Sequence, residues 1–165
     1  MKSVHPTVLT DEKISELIVT KKKIITPPKR NFSPDKNGHP NLNNEFTCKS
    51  INNENDTFHV FLRKNCIVID NFSIGLCYRN SILIRVNGKQ IHKNKDDGTK
   101  FYDFHIHKLT EYDIRQGNTS GQHADPCKEY SNFNSALLHF CKICGIMGID
   151  EYFSNLLQIS FEELP

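Results

Sequence analysis

A chain of 165 residues with 37% hydrophobic and 24% charged residues, eleven Phe and five Tyr, is long enough and apolar enough to bury one core. That mixture excludes a disordered polyelectrolyte, and a formal charge of +2, from 21 basic and 19 acidic residues, excludes nucleic-acid binding driven by net charge alone. No run approaches the roughly 18–20 continuous apolar residues of a membrane helix, no apolar leader core follows Met1, and the eight scattered glycines form no phosphate-loop, dinucleotide-binding or kinase motif.

The first element is a helix. Thr10 is a capping residue, Asp11 and Glu12 supply first-turn acids, and Ile14, Leu17 and Ile18 recur at helical spacing, which predicts a helix from about Asp11 to Lys22. Lys21-Lys22-Lys23 with Lys29-Arg30 puts five cations within ten residues, the one local patch that could carry nucleic-acid binding; the plainer reading is a solvated helix end, where lysines suit the macrodipole. Pro27-Pro28 forbids continuation, and residues 31–44, with Pro34, Gly38, Pro40 and several Asn, read as an exposed connection closing an N-terminal part, residues 1–44.

Residues 45–109 change character. Phe46–Ile51, Phe58–Leu62, Cys66–Ile69, Phe72–Tyr78 and Ile82–Val86 are short aromatic and β-branched runs separated by turn residues, and Phe101–Leu109 follows a polar break. Short separators favour antiparallel neighbours. In residues 110–165, a polar loop over Asn118–Pro126 precedes a helix from about Asn132 to Cys144, stopped by Gly145, and a last helix is expected over Asp150–Gln158. The expected architecture is a single α+β domain: an antiparallel sheet of five or six strands packed against a C-terminal helix, with an additional N-terminal helix. Its core is expected to contain Leu62, Ile74, Leu76, Ile84, Phe104, Ile106, Leu137 and Phe140.

The chemistry is concentrated between Arg85 and His107. In Phe104-His105-Ile-His107 the histidines are two apart, so on a strand both imidazoles leave one face. Such a pair can serve as acid and base across a phosphodiester or share a metal ion; otherwise it is an exposed polar edge. Arg85 and Asn87 share a face in the same way. Pairing of the two strands would bring Arg85, Asn87, His105 and His107 together, with His92 joining from the intervening loop, a set suited to an anion. Cys141-Lys-Ile-Cys144 has the spacing of half a zinc site, but both cysteines fall on an apolar helical stripe. Cys77 and Cys127 lack any nucleophile signature. All six cysteines are expected to be reduced, with no metal and no cofactor, in a cytoplasmic protein.

The order Phe72-Ser-Ile-Gly75-Leu, Arg85-x-Asn87-Gly88-x-x-x-His92, His105-Ile-His107 and Tyr130-x-x-Phe133-x-x-Ala136-Leu137 resembles a group of small uncharacterised bacterial proteins. More remotely it is similar to the TumE-like toxins of toxin–antitoxin pairs. The resemblance implies a mobile-element or defence-related setting and supplies no activity.

Two functions follow as expectations. The first is a toxin-like, metal-independent ribonuclease in which His105 and His107 exchange the roles of base and acid, Arg85 stabilises the phosphorane, and Asn87 and His92 position RNA. The alternative is a non-enzymatic phage or mobile-element inhibitor, anti-CRISPR-like, that occupies a host defence nuclease. The partner is accordingly RNA or a protein, an antitoxin or a host nuclease, with no membrane involved. Exposed imidazoles would make alanine variants of His105, His107 and Arg85 nearly neutral for folding.

Overall fold

The computed structural model describes residues 9–153. Helix α1 (Asp11–Val19) starts where Thr10 Oγ1 accepts from Lys13 N and buries Ile14, Leu17 and Ile18. It ends three residues before the expected boundary. Lys22 already belongs to strand β1 (Lys22–Thr26), so the basic run is the start of a strand and not a helix end. Strands β2 (Ser33–Pro34), β3 (Asn41–Ser50), β4 (Thr57–Asn65), β5 (Phe72–Tyr78), β6 (Ser81–Lys93) and β7 (Lys100–Lys108) follow. Then come α2 (Glu111–Arg115), β8 (Ala124–Pro126), α3 (Phe133–Ile143), β9 (Ile146–Met147) and a 3-10 turn at Ile149–Glu151. The rest of the helix expected over Asp150–Gln158 lies outside the described residues.

These strands form one curled sheet in the order β8-β7-β6-β5-β4-β3-β1-β9, with β2 alongside β3. The expected antiparallel sheet of five or six strands is therefore corrected to a mixed sheet of nine, because β9 pairs with β1 in parallel while the other ladders are antiparallel. The four added strands, β1, β2, β8 and β9, are two to five residues long and too polar or too brief to carry a periodic signal. Cys66–Ile69, expected to be a strand, is a turn: Asn65 Oδ1 accepts from Ile67 N and Val68 N, and Ile67, Val68 and Ile69 face outward.

Alternation sorts the sheet into two faces. Val60, Leu62, Ile74, Leu76, Ile84 and Val86 are buried and form one cluster with Ile14, Leu17 and Ile18 of α1 and Ala136, Leu137, Phe140 and Cys141 of α3. Phe104 and Ile106, expected in the core, pack against this cluster but are only partly buried. Helix α3 is fixed at its start by a capping box between Asn132 and Ser135.

Lys22 ties the helices to the sheet. Its side chain is 0% exposed, and its Nζ donates to Ile18 O and Thr20 O at the end of α1, both at 2.8 Å, and to Cys144 O at the end of α3 at 2.7 Å. One ammonium thus serves carbonyls left over at two helix C-termini, with the Phe58 ring 4.6 Å away. Three acceptors use all three donors of the protonated amine.

The thiols beside it set an alkaline limit. Burial pushes Cys48 and Cys144 up to about 12 and raises Cys141 further, against 9.0 for a free thiol. The unfolded chain therefore loses these protons first as pH passes 9, and each thiol subtracts up to about 1.4 kcal/mol per pH unit. Lys22 works oppositely: burial lowers it from 10.5 to about 8, so the folded state loses its proton first and this group adds stability between those values. Three thiols outweigh one amine. The melting temperature should hold to about pH 9 and fall above it, with a shallower fall in a Cys141→Ala Cys144→Ala variant; equal slopes would refute this assignment.

Candidate functional site

The second face of the sheet carries the polar residues. The β6–β7 register sets Arg85 opposite His107 and Asn87 opposite His105, so His105 and His107 do share a face, with ring centroids 5.2 Å apart. The β5–β6 register adds Ser73 opposite Asn87 and Gly75 opposite Arg85, and the β4–β5 register adds Arg63 opposite Ser73. His92 lies on β6 itself beyond a bulge between Asn87 and Gln90, not in a loop; its ring is 5.4 Å from His105 and 4.9 Å from His107. All five residues expected at the site converge.

They are not the exposed edge that the sequence suggests. Strand β8 covers the outer side of β7, and His105 and His107 are 2% and 4% exposed. Their alanine variants will therefore cost stability, contrary to the near-neutral expectation, because buried hydrogen-bonded rings are replaced by voids.

A directed hydrogen-bond chain holds His105. Arg63 Nη2 donates to Asn71 Oδ1 at 3.2 Å and to Ser73 Oγ at 3.4 Å; the Ser73 hydroxyl donates to Asn87 Oδ1 at 2.7 Å. Asn87 Nδ2 then donates to His105 Nε2 at 3.2 Å, and His105 Nδ1 donates to Asp103 O at 2.8 Å. His107 Nδ1 donates to Gly121 O at 2.9 Å, and His92 Nε2 donates to Asn94 Oδ1 at 2.9 Å. Asn94 is itself fixed by Ala124 N and O. Each imidazole thus has one nitrogen committed to an oxygen, which fixes its tautomer.

The charges are unusual. Arg63 and Arg85 sit on the same face, and neither makes an ion pair among the described residues. Arg85 Nε is buried without a hydrogen-bond partner among the described residues. Burial and then Arg63 lower the Arg85 pKa. Burial first, then the Arg85 charge, push His107 down to about 3, and burial lowers His105 as well. At neutral pH both rings are neutral, and burial with the Arg85 charge opposes their protonation, so they offer lone pairs to a donor or an ion and are poor proton acceptors. On the strand next to Arg85, a Cβ at Gly75 would stand 2.2 Å from Phe61 Cε1, so glycine there lets the Phe61 ring lie across β5.

Arg63, Ser73 and Asn94 complete the site and are not among the residues the sequence singles out. Arg63 was legible in principle, since Phe58, Val60 and Leu62 alternate inward and assign residue 63 to the other face. Tyr130 braces the two strands from the core face, where it packs against Phe72 and Phe104, and its hydroxyl donates to Asn87 O at 2.7 Å and His105 O at 3.1 Å.

Fold and site together define a curled mixed-sheet domain with a buried histidine cluster beside two guanidiniums that have no carboxylate partner among the described residues. Over residues 9–146 the chain matches the model of DUF6978, a family of unknown function, and it belongs to that family. This agrees with the uncharacterised-family part of the resemblance and carries nothing of the toxin comparison. No curated protein and no solved structure matches the chain. No helix among the described residues is long and apolar enough to cross a membrane.

Proposed function

We propose that the Arg63–Arg85–histidine face binds the phosphodiester backbone of RNA and that the protein is a toxin-like or defence-related ribonuclease of a bacterium or mobile element. The observation that carries this reading is Arg85. A half-buried guanidinium with an unpartnered buried Nε, a second guanidinium on the same face and no ion pair to either calls for an anionic ligand. Two phosphate oxygens can pair bidentately with the planar guanidinium fork, and cleavage through a phosphorane adds negative charge that Arg85 would stabilise. Asn87 donates beside it.

Incubating labelled single-stranded RNA with the protein tests this. Wild-type protein should cut, and Arg85→Met should cut about 10²-fold more slowly, the usual loss for one donor to a developing oxyanion. No cleavage, or equal cleavage by the variant, would sink the reading. One feature favours the inhibitor alternative: Ile67, Val68 and Ile69 form an exposed apolar loop tip, at 76%, 54% and 78%, of the kind used in protein contacts.

A further inference from the structure

We infer that His92, His105 and His107 together bind one divalent transition-metal ion of the zinc class. One ring nitrogen from each residue falls in a group whose members all lie within 4.8 Å of one another, close enough for small ring movements to bring them to the roughly 3.4 Å spacing of tetrahedral ligands at bond lengths of about 2.0–2.1 Å. Each ring also has one nitrogen that donates to a fixed oxygen, His105 Nδ1 to Asp103 O, His107 Nδ1 to Gly121 O and His92 Nε2 to Asn94 Oδ1, which leaves His105 Nε2, His107 Nε2 and His92 Nδ1 as the nitrogens with a lone pair. That is the outer-shell arrangement metal-ligating histidines use, because it fixes the tautomer with a lone pair on the remaining nitrogen. Two of the outer oxygens are backbone carbonyls and the third belongs to a doubly anchored Asn94, so the rings are aimed before any ion arrives.

Three neutral imidazoles select zinc, cobalt, nickel or copper over magnesium and calcium, which prefer oxygen donors. They also leave a coordination position open, as catalytic zinc sites do. On binding, the ion replaces the Asn87 amide as partner of His105 Nε2, and that amide becomes a donor beside the open position. An ion next to Arg85 favours an anionic fourth ligand, hydroxide or a phosphate oxygen; only the phosphate half of this statement rests on the proposed function.

The test uses cobalt(II) as the spectroscopic probe with the full chain freed of metal by chelator. Expected is one equivalent bound, with visible ligand-field absorption of a four- or five-coordinate nitrogen site, no thiolate charge-transfer band, and displacement by zinc. His92→Ala, at the least buried of the three positions, should keep its far-ultraviolet spectrum and melting transition while binding at least about 100-fold more weakly. His123→Ala, which removes the exposed group of Asp96, Asp97 and His123, should bind as wild type does. Absence of binding, a thiolate band, or affinity that follows His123 in place of His92 would overturn the inference. Because the readout is the ion and not RNA, these outcomes are independent of whether the protein cuts RNA.

Discussion

Lys22→Met should lower the unfolding free energy by about 3–5 kcal/mol, the scale of removing one partner from a buried charged network. The methionine fills much of the same space, so the loss reports polar groups and not volume. Ile18 O, Thr20 O and Cys144 O would lose their shared donor inside the structure, each such orphan costing about 1–3 kcal/mol. The ends of α1 and α3 should loosen together, since one ammonium serves both. Urea denaturation with hydrogen exchange at the two helix ends measures this; a loss under about 1 kcal/mol would show that water readily replaces the amine.

Gly88→Ala should cost about 3 kcal/mol or more, at the upper end for overpacking. A Cβ at Gly88 would lie 1.9 Å from Asp70 O and 2.8 Å from Phe72 N, both backbone atoms that no rotamer change can move. The neighbouring Lys89 N donates to that same Asp70 O at 2.8 Å, which pins the β4–β5 loop against the β6 bulge. The variant must open this contact, and because Asn87 precedes Gly88 and His92 follows the bulge, the histidine cluster should open with it. Thermal melting measures the cost; a melting temperature within a degree or two of wild type would contradict the packing described.

The residues that the sequence places correctly are those where a local rule decides. Thr10 announces a helix start and Ser131 or Asn132 announces another, Asn132 being the cap in the structure, because capping is a three-residue event, and His105 and His107 share a face because strand period is two. Burial of that face was not legible. It depends on β8, a three-residue strand in a polar loop, and on a curled sheet that no local pattern encodes. Lys22 fails for the same reason: flanked by Lys21 and Lys23 it reads as solvated, yet strand alternation points it inward while both neighbours remain exposed. Ile67–Ile69 errs in the opposite sense, an apolar run with no strand to pair with. Long-range pairing decided each case.

Arg85 is the centre of the account, and its own nitrogen can be watched. In protein labelled with nitrogen-15 at arginine side chains, the Arg85 Nε–H resonance should shift saturably as a dinucleoside monophosphate is added, while that of exposed Arg79 stays in place. A buried donor without a protein partner should move most when a phosphate oxygen reaches it. An Arg85 resonance that stays fixed while RNA binds or is cut would contradict the assignment of this face as the phosphate site.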